Sequence, residues 1–319
     1  MAGPRRDTRG IVEARELLAR VDFRRRKPAP ELRPYLEHYW LIDWDLTEPY
    51  ASHVVPHPSV NLVFQRYGDD EPWAEIAGIG LELFTHKLEG RGRVCGVQFR
   101  PGGFRPFAPA RPVSDWTGRR VPLAQAYPDL GPGVGGPSGQ GGPGDGGPGG
   151  PGDGGPGGPD AGGPGGPGAR GESPPAALVA DAVRGVVGPD DEDARVAALD
   201  AFLLALAPAP DPQASQAMAL VDRVRSDRSI RRVAELAAAE GMSTRSLQRL
   251  FSAYVGVGPK WVILRYRIHE ALERAEADTA ALDWSALAAE LGYSDQAHLV
   301  RDFTATVGVP PTAYARPPH

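Results

Sequence analysis

AELAAAEGMSTRSLQRLF, at Ala234–Phe251, returns as SALAAELGYSDQAHLVRDF at Ser285–Phe303. Ala237 and Gly241 recur 51 residues later as Ala288 and Gly292. Past the turn the offset becomes 52, and Leu247, Arg249 and Phe251 recur as Leu299, Arg301 and Phe303. The exits repeat too, VGVGP (Val255–Pro259) against VGVPP (Val307–Pro311). A helix-turn-helix needs a small residue at the crossing, a glycine at the sharp turn and apolar residues holding the second helix against the first. The first copy supplies Ala237, Gly241, Met242, Leu247, Leu250 and Phe251; the second supplies Ala288, Gly292, Tyr293, Leu299 and Phe303. Ser243 stands where an N-cap opens the second helix, with Ser294 or Asp295 in that place in the longer second turn.

With those positions turned inward, the outward faces follow. They carry Thr244, Arg245, Gln248 and Arg249 in one copy, and Gln296, Ala297, His298 and Arg301 in the other. Arg and Gln are the side chains that bond base edges bidentately in the major groove, and helix N-termini offer N–H groups to phosphate. One such stripe is ordinarily a solvated face; two aligned copies point to double-stranded DNA. Between them, Pro259–Ala277 reads as a linking helix with an inward stripe of Trp261, Leu264, Ile268, Ala271, Leu272 and Ala275. Lys260, Arg265 and Arg267 are candidates for phosphate, or for pairing with Glu residues. Rigidly joined units would enter the major groove about 34 Å apart. Residues 226–319 hold 11 Arg plus Lys and 11 Asp plus Glu, so non-specific attraction is modest and tight binding is expected only at particular sites.

Working back along the chain, Ala176–Leu206 reads as a helical hairpin broken at Gly188-Pro189, and Pro208, Pro210 and Pro212 end it. Gly131–Gly171 holds 23 Gly and 9 Pro in 41 residues. So little apolar surface predicts disorder, a coil spanning roughly 35 Å. Further back the period becomes that of strands: Trp40, Ile42, Trp44 and Leu46 alternate, Val60, Leu62 and Phe64 share a face, and Val97 and Phe99 close a strand at Pro101-Gly102-Gly103. Residues 10–22 suggest a short amphipathic helix, and the run Arg24–Lys27 a solvated face.

The 319 residues allow two domains. A single cysteine, Cys95, excludes an intrachain disulfide and a multi-thiolate zinc site. The net charge of −5 is mildly acidic, so charge alone gives no hint of a nucleic-acid partner. No apolar run reaches the ~18 residues of a membrane span, and the N-terminus lacks a signal pattern; a soluble, cytoplasmic protein is expected.

Ser229–Ala315 resembles the AraC/XylS-type DNA-binding domain, in which two helix-turn-helix units are joined by a helix. The resemblance implies that Arg245, Gln248, Arg249, Gln296 and Arg301 face DNA; His298 departs from the apolar or small polar residue often seen at its position. HYWLIDW, VVPHPSVNLVFQ and GVQFRPGG resemble a β-rich sensor domain found in some of these regulators. The expected fold is α+β and multidomain: residues 1–130 a small β-barrel or sandwich with flanking helices, 131–171 a disordered Gly/Pro insertion, 172–212 a helical hairpin belonging with the sensor, and 213–319 the all-α DNA-binding domain. The expected function is a one-component, non-enzymatic transcription regulator without cofactor. An unidentified effector, RNA polymerase and a second copy of the chain are its further partners.

Two other classes compete. A metal-dependent cupin-like enzyme, or a small-molecule-binding protein, would place its activity in the β domain, where His38, His53, His57 and His86 offer imidazoles. No carboxylate–histidine spacing accompanies them. A repair protein with a reactive thiol rests on Cys95 alone, and a lone cysteine in a strand is ordinarily a small buried hydrophobe.

Overall fold

The computed structural model describes residues 10–126, 176–277 and 282–314; the tract Gly131–Gly171 lies outside them. Seven strands form one antiparallel sheet: β1 (Ile11–Val12), β2 (Asp22–Arg26), β3 (Leu36–Val54), β4 (Asn61–Tyr67), β5 (Trp73–Ala77), β6 (Phe84–Phe99) and β7 (Arg120–Pro122). Their order is β1-β3-β6-β4-β5-β7, with β2 also on β3. The alternation read from the sequence sorts the two faces. Tyr39, Leu41, Leu62, Phe64, Ile76, Cys95 and Val97 enter the main core. Trp44, Val63, Leu88 and Val94 line the other face with Ile11, Leu17 and Val21. β3 continues through Pro49, which falls at a register irregularity between Leu46 and Tyr50, where a residue without an N–H is tolerated. β6 ends at a turn in which Gly102 has φ +95°.

Two N-terminal expectations change. Residues 10–22 are not one helix: β1 pairs with β3, Glu13 breaks the backbone at φ 54°, and only Ala14–Arg20 (α1) is helical. The run at Arg24–Lys27 is not simply a solvated face. Arg24, Arg25 and Arg26 belong to β2, and carboxylates from distant segments partner two of them. Arg24 pairs with Asp43, and Arg26 bonds Glu192 and Asp193 at 2.5 Å each.

Glu192 and Asp193 come from the helical hairpin, α3 (Ala176–Val187) and α4 (Glu192–Ala205), which lies on the sheet's core face. Asp200 of α4 accepts from the Tyr39 hydroxyl (2.7 Å) and the Ala29 amide (2.8 Å). Arg195, 1% exposed, and Arg93 converge on Asp43. Burial alone would raise the Asp43 pKa, but hydrogen bonds from Arg195 and Arg93 outweigh it and hold the carboxyl below its usual range.

Seven helices follow among the described residues: α5 (Pro212–Ser226), α6 (Val233–Ala239), α7 (Thr244–Leu250), α8 (Pro259–Ala277), α9 (Trp284–Glu290), α10 (Gln296–Val307) and α11 (Pro311–Tyr314). A wide turn, Phe251–Val255, follows α7; α2 is the short Leu123–Ala126. On α8, Ile268, Ala271, Leu272 and Ala275 are buried as the stripe predicts, but Trp261 and Leu264 are only half-buried while Val262, Ile263 and Tyr266 are buried. The helix serves two cores, so one stripe cannot describe it. Its first half joins the core shared with the sheet, α5, α6 and α7; its second half joins a separate core of α9 and α10. No described helix is long and apolar enough to cross a membrane.

Candidate nucleic-acid interface

The duplication in sequence is a duplication in backbone geometry. Gly241 and Gly292 take φ +63° and +75°, a left-handed conformation that glycine adopts without strain. The next amide closes the same bond in each copy, Met242 N–H to Ala237 O and Tyr293 N–H to Ala288 O, both 2.9 Å. This double closure is the glycine-terminated helix end known as a Schellman motif. Ala237 and Ala288 are buried at the crossings. The Ser243 hydroxyl accepts from the Ser246 amide (3.1 Å), and the Asp295 carboxylate accepts from the His298 amide (2.7 Å). Asp295 therefore caps α10, and Ser294 is the extra turn residue. That backbone bond, the largest influence, holds the Asp295 carboxyl below its usual range.

Capping and turn fix which faces remain outside. Thr244, Arg245, Gln248 and Arg249 on α7, and Gln296, Ala297 and Arg301 on α10, are exposed. Leu247, Leu250, Leu299 and Phe303 are buried beneath them. Among the described residues, Arg245, Arg249 and Arg301 make no ion pair or hydrogen bond. Other arginines of this half are tied down: Arg228 to Glu270 (2.7 Å), Arg274 to Glu290 (2.5 Å), Arg267 to the Arg231 carbonyl (2.7 Å) and Arg223 to Glu240. Three of the cations left free among the described residues, Arg245, Arg249 and Arg301, lie on the two repeated faces; Lys260 and Arg232 make no ion pair either.

The other candidates divide. Lys260, near the start of α8, is exposed. His298 is half-buried: its Nδ1 lies 3.2 Å from the Ser294 hydroxyl, its Nε2 3.7 Å from Asp302, and its ring meets Tyr293 edge-on. Arg265 is turned away from solvent at 7% exposure, bonded to the Leu81 carbonyl (3.3 Å) and stacked over Trp261. Burial lowers its pKa to about 10. Neither it nor Arg267, which lies over Tyr293, pairs with Glu in the described residues. The sequence carried no signal for a cavity of about 390 Å³ between α5 and α7, lined by Gln213, Gln216, Met242, Arg249, Leu250 and Tyr254, because α5 and α7 meet only in the fold.

The competing sites do not assemble. His53 faces Thr85 across the β3–β6 pair, while His86 faces Ser52 and so points to the opposite side of the sheet. His53 bonds Thr85 (2.9 Å), His57 bonds Ser59 (2.8 Å) and His86 bonds Tyr67 (3.1 Å); His38 is half-buried. Among the described residues no group of three His, Cys, Asp or Glu is placed to hold a metal. Cys95 is fully buried, its thiol donating to the Val186 carbonyl at 3.6 Å, and burial raises its pKa to about 11. A thiol so protected from ionisation is a poor nucleophile.

Two family models match parts of the chain. Residues 236–317 match the family model described as a helix-turn-helix domain, and residues 24–122 match one described as a domain of unknown function (DUF6597). Among solved structures, ToxT from Vibrio cholerae is 10% identical with TM-score 0.37 over 87% of this chain and 97% of that one. The same protein solved with an unsaturated fatty acid bound is 10% identical with TM-score 0.33 over 98% of this chain and 97% of that one. No curated protein sequence matches the chain. The protein is a DNA-binding transcription regulator. Its C-terminal part matches the helix-turn-helix domain, and its N-terminal part matches the domain of unknown function.

Proposed function

We propose that α7 and α10 read operator DNA directly. Arg245, Gln248, Arg249, Gln296 and Arg301 meet base edges, Thr244 and Lys260 meet phosphates, and His298 orients the start of α10 beside Ser294. The observation that carries this reading is that Arg245, Arg249 and Arg301 share the two equivalent exposed faces and make no ion pair or hydrogen bond there, while Arg223, Arg228 and Arg274 nearby are paired with carboxylates. An unpaired, exposed Arg keeps its whole fork available for a bidentate contact.

Residues 1–130 with the hairpin 172–212 form the sensing part, 131–171 is an insertion within it, and 213–319 is the reading part. The protein works in the cytoplasm as a one-component regulator and not as an enzyme. A small effector or a protein partner acts on the sensing part, RNA polymerase is met at the promoter, and a second copy of the chain pairs on longer operators. The test is in vitro selection of duplex DNA with the full-length protein. Enrichment of one motif is expected, and Arg249→Ala or Arg301→Ala should each relax selection at a few adjacent bases. Recovery of random sequence would overturn the reading.

A further inference from the structure

One short segment of the β domain, the connection Ile79–Leu83 between β5 and β6, touches both helix-turn-helix units. Ile79 is fully buried against the exit of the first unit: a Cβ on Gly256 would stand 2.7 Å from its Cδ1. The Thr117 hydroxyl binds the Gly256 carbonyl at 2.8 Å beside it. The Leu81 carbonyl accepts from Arg265 in the middle of the linking helix. Leu83 packs on the core of the second unit, its Cδ2 3.2 Å from where a Cβ on Gly308 would lie.

Gly256 and Gly308 are equivalent positions of the duplication, 52 residues apart, with φ +89° and +85°. A segment of five residues therefore meets the same point in both copies and the strut between them. On the sheet side its stem is fixed as well. Phe84 stacks on His86 at 6.0 Å with Arg120 above it at 5.1 Å. Arg120 pairs with the buried Glu75, which accepts from Gln65; Tyr67 bonds both Gln65 and His86.

We infer that Ile79–Leu83 is a brace by which the β domain sets the position of the two reading units relative to each other. Whatever rearranges the Glu75–Gln65–Tyr67–His86–Arg120 set reaches both reading helices through it. Val12 and Val55 also enter the core of the second unit, but only the brace meets the equivalent point of both units at once.

The test is a distance distribution between spin labels at Ser252→Cys and Ala305→Cys, both exposed and outside the reading residues, in the full-length protein, where buried Cys95 stays unlabelled. A single narrow distance is expected. Leu81→Gly, Glu82→Gly and Leu83→Gly together, which leave Ile79 in the core, are expected to broaden it, and Leu83→Met alone to keep it narrow. Arg120→Ala is expected to broaden it from the sheet side. A broad distribution in the parent, or one unchanged by the triple glycine variant, overturns the brace; no change with Arg120→Ala overturns its link to the sheet. Unfolding curves identify a variant that has merely lost its fold. Affinity for selected DNA should fall roughly fivefold or more in the triple variant, the lower end of ordinary coupling between sites. Only this last readout rests on the DNA-reading assignment: if the parent selects no DNA, that assignment fails while the distances still judge the brace.

Discussion

The two helix-turn-helix units are alike in sequence and turn geometry, yet they are embedded differently. Phe251 of the first unit shares one continuous core with the sheet, the hairpin and α5. Phe303 of the second sits in a smaller core of α8, α9 and α10, which, among the described residues of the β domain, Val12, Val55 and Leu83 enter. The exit of the first unit is also hydrogen-bonded to the β domain, Arg105 to the Ala253 carbonyl (3.1 Å) and Thr117 to Gly256. The same reading module has thus been used once as part of the sensor's body and once as an appendage. What the duplication encodes is the reading surface; how rigidly each surface is held is decided by neighbours outside it.

The largest expected contrast comes from the equivalent aromatics. Phe251→Ala and Phe303→Ala each remove a fully buried ring, at about 3–5 kcal/mol. In hydrogen exchange, Phe251→Ala should weaken sheet and first unit together, whereas Phe303→Ala should open α9–α11 and leave the sheet protected. Equal loss of protection in the sheet would refute the two-core division.

Next comes the clasp on Asp43. Asp43→Asn strands Arg195 in the interior, costing about 3 kcal/mol in chemical unfolding. Because the folded pKa of Asp43 is depressed, its contribution is fully present above the unfolded value of about 3.9 and lost as pH falls through the folded one. The variant should therefore show a flatter acid limb than the parent below about pH 4. Phe303→Ala, remote from the clasp, should keep the parent's acid limb.

For DNA affinity, Arg249→Ala and Arg301→Ala should each cost about 1–3 kcal/mol in titrations at fixed salt. Arg249→Ala should cost more, because its unit is already held and spends less ordering entropy on contact. A larger loss at Arg301 would reverse the ranking of the two units.

The smallest contrast lies in the turns. Gly241→Ala meets no neighbour and should cost only the left-handed strain, about 1–2 kcal/mol. Gly292→Ala adds a collision with the Arg231 side chain at 2.6 Å, loosening its bond to the Glu290 carbonyl, and should lower the melting temperature further.

The legible parts of the chain were those governed by local rules. Periodicity, glycine at a left-handed turn and a capping side chain act within a few residues, so both units, the hairpin and the turn at Gly102 could be read directly. What was hidden depends on partners far off in sequence. Arg24 and Arg26 look solvated until Asp43, Glu192 and Asp193 are brought beside them, more than 140 residues intervening in the last two cases. Arg265 resembles a phosphate ligand until the Leu81 carbonyl arrives from the β5–β6 connection. The split of residues 10–22 into β1 and α1 likewise needs β3, whose Val54 and His53 pair with Ile11 and Val12.

The extra residue in the second turn has a consequence for how such a module can vary. Ser294 is inserted between Gly292 and the cap, not between the cap and the reading face. Counted from Ser243, the free arginine and the anchoring aromatic come six and eight residues later, at Arg249 and Phe251; counted from Asp295 they come at Arg301 and Phe303, the same intervals. The cap restarts the helical count, so a turn can lengthen without rotating a single reading side chain. A residue gained after the cap would rotate the rest of the face by about 100°, the angle of one step in a helix of 3.6 residues per turn. The stretch between glycine and cap is therefore where this domain can accept insertions, and the stretch after the cap is where it cannot.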